Sequence, residues 1–360
     1  MRRTAALIVG GGPAGAAAAI GLARAGEGSL LVERDRATRD ALCGGFLSWT
    51  TLDRLAALGV DAWQLGAQRI EQVAILAGRR SAEAPLPAPA AGLSRRELDA
   101  ALLERALAAG AGIERGLAVR SLDEGLARFD DGSEMRPAAA ILATGKHDLR
   151  GHPRPREAGD PSIGLRWRLA ASPALTMLCT GRIELHLFRR GYAGLVLQED
   201  GGANLCLTVR RSRLDEAHGD PAILLAELAE EAPMLAARLD AATAIGASQA
   251  VANIPYGWRA AETTPGIYRV GDQAGAIPSL AGEGIGIAIA TGLAAAAAIA
   301  RREPARRYQA ATAARLKRVF TAAGIVRGLA GHAAAAPLVL TAANRSPAAL
   351  TWAAAMVRLR

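Results

Sequence analysis

Aromatic residues and cysteines are scarce in this 360-residue chain, and each scarcity narrows the options. Aromatic side chains make up 4% of the sequence, so alanine, leucine, isoleucine and valine must fill most of the core. The three cysteines, Cys43, Cys179 and Cys206, show no CxxC pairing and no metal-ligand spacing. This excludes a disulfide scaffold and a zinc module, predicts no metal site, and favours a reducing, cytoplasmic setting.

Lysine is scarcer still, although the net charge is +9. Only two of the 43 basic residues are lysines, Lys146 and Lys317. The arginines are scattered rather than clustered in one motif, so we attribute them to a compositional preference for Ala, Arg and Gly. The sequence therefore predicts no nucleic-acid partner.

Long apolar runs are also rare. Gly10 to Gly12 and Pro13 interrupt the first apolar segment, so we expect no signal peptide at the N-terminus. Residues 284–300 are uncharged and largely apolar, but they are rich in Gly and Ala and short for a membrane span. A buried helix is therefore predicted there.

A glycine fingerprint stands at residues 10–15, which read Gly-Gly-Gly-Pro-Ala-Gly. It follows a short apolar strand and precedes a helix, the context that a dinucleotide-binding G-x-G-x-x-G motif requires. Gly10 permits the tight turn, Gly12 lets the backbone approach a pyrophosphate, and Gly15 allows close packing of helix and strand. The phosphates would meet the positive end of the helix dipole.

Glu33 ends the second predicted strand, about 20 residues after the fingerprint. A carboxylate at this position accepts hydrogen bonds from a ribose diol and repels a 2′-phosphate, which favours FAD or NAD over NADP.

A second segment decides between these cofactors. Residues 267–286 read as a strand ending at Gly271-Asp272, then Pro278, then Gly282-Glu283-Gly284-Ile285-Gly286 at the start of a helix. A carboxylate at the strand end can hold ribityl hydroxyls, and the helix start offers N–H groups to the electron-rich edge of a flavin. This favours FAD.

With these two segments and the helix Ser94-Arg95-Arg96-Glu97-Leu98-Asp99, the sequence resembles the FAD-dependent monooxygenase superfamily, which includes aromatic hydroxylases, geranylgeranyl reductases and flavin-dependent halogenases. The resemblance spans residues 7 to about 292. It implies that Arg95 contacts the FAD diphosphate region and that Asp272 binds the ribityl chain. Ser94 and Glu97 also form a capping-box pattern.

The expected fold class is α/β. We predict a Rossmann-like FAD-binding domain of the glutathione-reductase type, with an inserted antiparallel-sheet substrate domain and a helical C-terminus. The predicted boundaries are 1–160 and 256–300 for the FAD-binding domain, 161–255 for the substrate domain, and 301–360 for the C-terminal helices. Residues 50–93 are expected partly on the substrate side.

The predicted cofactor-binding set combines the motifs with their immediate neighbours. It comprises Gly10, Gly12, Pro13, Ala14, Gly15, Glu33, Arg34, Cys43, Gly44, Arg95, Ala143, Thr144, Gly145, Gly271, Asp272, Pro278, Gly282, Gly284, Ile285 and Gly286.

The sequence also departs from its relatives. Residues 143–148 lack the Asp-Gly motif that many hydroxylases carry there, and Asp131-Gly132 is better explained as a hairpin turn. The segment around Ile254-Pro255 lacks the Trp-x-Trp-x-Ile-Pro motif, so halogenation is not expected.

Cys43-Gly44-Gly45 is similar to a segment of geranylgeranyl reductases near the flavin, where Cys43 would be a catalytic proton donor. The alternative is that Cys43 is a small buried residue.

The resemblance implies a monooxygenase that uses a flavin C4a-hydroperoxide on an apolar aromatic or polyketide-like molecule. A geranylgeranyl-reductase-type C=C reductase is the first alternative, and an electron-transfer flavoprotein without a small substrate is the second. NADH or NADPH is the expected electron donor, with a donor protein as the alternative. Leu185, Leu187, Leu195, Leu197 and Leu205 either face an apolar substrate or form ordinary sheet core.

The basic C-terminal helices are expected to pack on the flavin domain, and the alternative is peripheral contact with an anionic membrane.

Overall fold

The computed structural model describes residues 6–156, 159–331 and 336–359, and in residues 329–331 it describes the backbone only. Elements are numbered in chain order. A five-stranded parallel sheet has the order β16-β10-β1-β2-β6. Its strands are β1 Ala6–Val9, β2 Ser29–Glu33, β6 Gly112–Arg115, β10 Ala140–Leu142 and β16 Ile267–Arg269. This sheet and its crossover helices confirm the Rossmann-like prediction.

A second sheet of eight strands has the order β15-β11-β14-β13-β12-β4-β5-β3. Its strands are β3 Phe46–Leu47, β4 Gln68–Ala77, β5 Arg80–Gly92, β11 Ser162–Leu169, β12 Gly181–Phe188, β13 Gly191–Leu197, β14 Ala203–Arg210 and β15 Ala244–Val251. All neighbours are antiparallel except β12 and β4, which pair in parallel.

The sequence patterns located most of this sheet but not all of it. The apolar segments 183–187, 194–198 and 203–209 are typical of antiparallel strands and overlap β12, β13 and β14. The segment 85–91, expected as extended or looped, belongs to the long strand β5 despite its three prolines. Strand β11 was not anticipated.

A three-stranded sheet lies beside the parallel one and contains β7 Val119–Asp123, β8 Leu126–Phe129 and β9 Glu134–Met135. The Asp131-Gly132 pair forms the turn between β8 and β9. Gly132 has a φ of +86°, and the Asp131 carboxylate accepts the Ser133 N–H at 2.8 Å. The prediction of a turn rather than a cofactor motif is confirmed.

Eleven α-helices fall within the described residues. They are α1 Pro13–Arg24, α2 Trp49–Leu58, α3 Arg95–Ala108, α4 Pro173–Cys179, α5 Arg211–Glu216, α6 Pro221–Glu231, α7 Pro233–Asp240, α8 Gly284–Ala300, α9 Ala305–Gly331, α10 Ala336–Arg345 and α11 Pro347–Met356. The last three bear out the expectation of a helical C-terminus.

Small residues set the packing where α1 crosses α8. A Cβ at Gly292 would lie 2.2 Å from the carbonyl oxygen of Ala14, and one at Gly21 would lie 2.7 Å from Ala296 Cβ. The two helices therefore approach closely enough for backbone contact, which holds α8 against the end of the parallel sheet. In the described part of the chain, no helix is both long and apolar enough to cross a membrane.

Candidate flavin site

The glycine loop connects β1 to α1, and its conformation requires glycine at two positions. Gly10 has a φ of +108°, and a Cβ there would lie 2.6 Å from the carbonyl oxygen of Ala143 on the neighbouring strand. A Cβ at Gly15 would lie 1.9 Å from the carbonyl oxygen of Gly10. Helix α1 begins without a side-chain cap, so its first N–H groups face the loop and suit an anion.

Glu33 ends β2 as expected, and its carboxylate is fixed by the backbone around it. Its Oε2 accepts the N–H of Gly11 at 2.7 Å, and its Oε1 accepts the N–H of Asp35 at 3.0 Å. These bonds hold the carboxylate against the glycine loop, in the position from which ribose hydroxyls can be bound.

Arg95 is fixed by the first turn of α3. Its guanidinium donates twice to Asp99, at 2.7 and 2.6 Å, and one of its nitrogens would lie 3.2 Å from a Cβ at Gly12. Burial disfavours the charged guanidinium, but the Asp99 carboxylate outweighs burial and raises the pKa of Arg95. A permanent, oriented cation therefore faces the glycine loop, which suits a diphosphate.

The capping box at the start of α3 is half formed. Ser94 Oγ accepts the N–H of Glu97 at 3.2 Å, as predicted. The N–H of Ser94 does not bond to Glu97; it donates to Glu199 Oε2 at 2.9 Å. Glu199 follows β13, so the start of α3 is tied directly to the eight-stranded sheet.

Lys146 stands opposite Asp272, and the sequence reasoning did not select it. Its Nζ lies 3.4 Å from Asp272 Oδ2. The fully buried Gln273 side chain sets this geometry, because its Nε2 donates to the carbonyl oxygens of Gly145 and His147 at 2.9 and 3.0 Å. Burial opposes the charge on Lys146, but Asp272 outweighs it and the pKa of Lys146 is raised. The composition could have drawn attention to Lys146, because only two of the 43 basic residues are lysines.

The start of α8 completes the far end of the site. Its first residue, Gly284, is exposed and has no atom within 4 Å of a Cβ position, and no side chain caps the helix. Glu283 points away from the site and is fully buried. Its carboxylate accepts hydrogen bonds from Ser48 Oγ at 2.9 Å and from Arg358 at 3.0 Å. The uncapped N–H groups of α8 therefore stay available to a ligand.

One continuous space joins these groups. A channel of about 740 Å³ is lined by the glycine loop, Glu33, Arg95 and Asp272, and it leads into an inner cavity of about 190 Å³ that reaches the start of α8. The residues shared by both walls are Gly12, Leu42, Arg95, Ala143, Gly145, Lys146 and Asp272. The site thus has the shape needed by one long ligand with a diphosphate near α1 and a ring near α8.

Most predicted cofactor residues line this space. They are Gly10, Gly12, Pro13, Ala14, Glu33, Arg34, Cys43, Gly44, Arg95, Ala143, Thr144, Gly145, Gly271, Asp272, Gly282, Gly284 and Ile285.

Three other predicted residues lie outside the walls. Gly15 acts through packing against Gly10, as described above. Pro278 lines an outer groove that borders the inner cavity at Tyr192, Thr208, Tyr256 and Leu280. Gly286 lies in the first turn of α8 and packs against other residues, because a Cβ there would lie 2.6 Å from both Glu283 Oε1 and Thr51 Oγ1. Direct cofactor contact is therefore not supported for Pro278 or Gly286.

Cys43 lies in the cavity wall beside Gly44. Its carbonyl oxygen accepts Asn204 Nδ2 at 2.8 Å. Cys206, on β14, lines the same cavity and was not selected from the sequence; burial raises its pKa to about 12. Two thiols therefore face the space next to the flavin site.

The remaining cavity wall comes from the eight-stranded sheet and from residues 254–280. Leu185 and Leu195 line the cavity. Leu197 and Leu205 belong instead to the core under the neighbouring helices, and Leu187 packs beneath α10. The interpretation as sheet core is confirmed for Leu187, Leu197 and Leu205; Leu195 also packs in the core, and an apolar substrate at Leu185 and Leu195 stays a prediction. The polar exceptions in this wall are Tyr192, Thr208, Tyr256 and Ser279.

Comparison with known proteins agrees with this geometry. The fold and the site define a flavin-binding protein with a sheet covering the flavin end. Residues 3–147 match the FAD binding domain family. This match covers about two fifths of the chain and agrees with the predicted FAD-binding domain.

The sequence relatives cover part of the chain. A menaquinone reductase of Mycolicibacterium smegmatis is 30% identical over 162 residues, which cover 41% of this chain and 39% of that enzyme. The matched region thus spans about two fifths of that relative's length.

Solved structures share the fold over nearly the whole chain. The flavin-dependent brominase Bmp2 has a TM-score of 0.81 at 17% identity, covering 99% of this chain and 93% of that chain. A geranylgeranyl bacteriochlorophyll reductase-like protein from Thermoplasma acidophilum has a TM-score of 0.73 at 20% identity, covering 91% and 88%. The comparisons thus support an FAD-binding domain in residues 3–147 and a fold shared with these flavoproteins.

Proposed function

We propose that this protein is an FAD-dependent monooxygenase that acts on an apolar aromatic or polyketide-like small molecule. The observation that carries the proposal is the continuous path from Glu33 to the start of α8, closed at the flavin end by an apolar wall of the second sheet. The apolar side chains of this wall, among them Leu185 and Ile277, offer a surface that suits an apolar small molecule next to the flavin ring.

The residues of the chain fit FAD at each part of the ligand. Glu33 suits the ribose diol, Arg95 and the uncapped α1 suit the diphosphate, and Asp272 suits the ribityl hydroxyls. The uncapped start of α8 suits the electron-rich edge of the ring. When bound, FAD accepts a hydride and can activate oxygen, whereas the side chains bind and orient the substrate and exclude water.

The first experiment tests the cofactor and the reaction class together. The purified protein is expected to carry FAD and to be reduced by NADH or NADPH. With ¹⁸O₂, catalase and a panel of phenols, one labelled oxygen atom should appear in the product. Protein stripped of flavin serves as the control for oxidation by free peroxide. A product without label would contradict the monooxygenase.

A second candidate is a reductase of C=C or quinone substrates. It is favoured by the position of Cys43 in the cavity wall, since a thiol there could supply a proton to a substrate carbon. Anaerobic incubation of reduced enzyme with menaquinone or an isoprenoid separates the two candidates. A reduced product without oxygen, lost in Cys43→Ala and retained in Cys179→Ala, would favour the reductase; Cys179 is buried outside the cavity.

A further inference from the structure

Half of the tyrosines in this chain meet at one end of the inner cavity. The chain has four tyrosines, and Tyr192 on β13 and Tyr256 after β15 both line the cavity wall. The other two, Tyr268 and Tyr308, pack against each other in the core with ring centroids 5.5 Å apart. In a sequence with so few aromatic residues, the first pair is a specific feature of the cavity.

The two cavity tyrosines belong to a cluster of four hydroxyl groups. Thr208 donates to Tyr192 Oη at 3.3 Å, and Tyr256 Oη lies 2.7 Å from Ser279 Oγ. Each hydroxyl has one proton and can also accept. These two bonds use two of the four protons, so the cluster can turn a proton toward a ligand in the cavity.

The cluster stays in its donor form and is held in place. Burial raises the pKa of both Tyr192 and Tyr256, so both phenols remain protonated at neutral pH. The Arg327 guanidinium lies 5.1 Å from the centre of the Tyr256 ring, in the outer groove that Tyr192, Thr208 and Tyr256 also line. This stacking fixes the ring and favours a preformed binding group.

The part of the cavity wall that is apolar lets the hydroxyl cluster set the orientation of a bound ligand. Ile183, Leu185, Leu195 and Ile277 line the same cavity. An apolar ring can therefore pack against these side chains while an oxygen atom on the ring forms hydrogen bonds with the hydroxyl cluster.

We propose that Tyr192 and Tyr256, supported by Thr208 and Ser279, form a subsite for the phenolic or quinone oxygen of an aromatic substrate. This inference rests on the proposed function for its biological meaning. The subsite selects oxygen-bearing aromatics over hydrocarbons of the same shape and fixes which edge of the ring faces the flavin site.

The test measures binding rather than turnover, using 2-naphthol and naphthalene as probes. Both are titrated into the FAD-loaded protein without an electron donor, by flavin absorbance and by calorimetry. Wild-type protein is expected to bind 2-naphthol about tenfold or more tightly than naphthalene, as expected for one or two buried hydrogen bonds. Equal binding of the two probes would overturn the subsite.

Tyrosine-to-phenylalanine variants keep the ring volume and remove only the hydroxyl. The double variant Y192F/Y256F should bring the two affinities within about twofold, mostly by weakening 2-naphthol. Tyr268→Phe is the matched control, because Tyr268 Oη donates to Glu303 O at 2.6 Å outside the cavity. A preference that persists unchanged in the double variant would contradict the subsite.

Two controls keep the outcome interpretable. Thermal unfolding and FAD content show whether each variant is folded and loaded. The binding test involves no turnover, so the two proposals can fail separately. Preference for 2-naphthol without any labelled product would contradict the monooxygenase and support the subsite. Labelled product without that preference would support the monooxygenase and contradict the subsite.

Discussion

The channel beside the glycine loop and the inner cavity at the start of α8 are built by different means. The channel is formed by backbone and charged groups in fixed geometry: a glycine loop, the Glu33 carboxylate and the Arg95–Asp99 pair. The cavity is formed by side chains from many separate segments of the chain, among them Leu185 and Tyr256. The channel should therefore tolerate almost no change, whereas the cavity should be adaptable in shape and substrate.

The largest expected effect is at Gly15, which lines neither space. Gly15→Ala should abolish FAD retention and lower the stability by several kcal/mol, because the new Cβ would lie 1.9 Å from the Gly10 carbonyl oxygen. FAD content and thermal unfolding measure both effects. Gly324→Ala is the control, since no atom lies within 4 Å there and a gain of up to about 1 kcal/mol is expected. A stable Gly15→Ala protein that retains FAD would contradict the expected intolerance of the channel to change.

The next largest effect is expected at Arg95. Arg95→Ala should weaken FAD binding about 10- to 100-fold, the loss expected for charge-assisted bonds to a phosphate. Arg95→Lys should recover only part of this, because an ammonium cannot donate twice to Asp99. The neighbouring Arg96→Ala, which removes an exposed pair with Glu97, is the control. Equal FAD dissociation constants for the Arg95 and Arg96 variants would remove Arg95 from the site.

A smaller effect is expected at Lys146. Lys146→Met should reduce the preference for reduced over oxidised FAD about tenfold, because the variant loses a cation beside a ligand that gains negative charge on reduction. For a two-electron couple this corresponds to a potential about 30 mV lower. Dye-equilibration measurements report it, with Lys146→Arg as partial rescue and the exposed Lys317→Met as control. An unchanged potential would assign Lys146 a structural role only.

The smallest effect on FAD is expected in the cavity wall. Leu185→Ala should leave the FAD dissociation constant within about twofold and cost about 1–2 kcal/mol of stability, since this side chain is partly buried. Binding of the naphthol probe should weaken, because the apolar wall recedes. Loss of FAD in this variant would show that the two regions are not independent.

Local patterns predicted the main motifs of the channel, but not Lys146. The positive φ of Gly10, the Ser94 cap and the strand-end positions of Glu33 and Asp272 depend on short stretches of sequence. They were found because turn chemistry and helix caps follow fixed spacings. Strand β11 was missed although its four apolar residues alternate strictly with polar residues and glycine, which is the pattern of a strand.

Tertiary structure alone decided the cavity. Tyr192 and Tyr256 are far apart in sequence, and Cys206 approaches Cys43 only through strand order and register. Likewise, Lys146 meets Asp272 because β10 and β16 are parallel neighbours whose ends lie together. The sequence by itself determined which cofactor this protein suits, since a diphosphate is recognised by local backbone geometry. What surrounds the reacting ring was decided by long-range strand pairing, which no local pattern encodes.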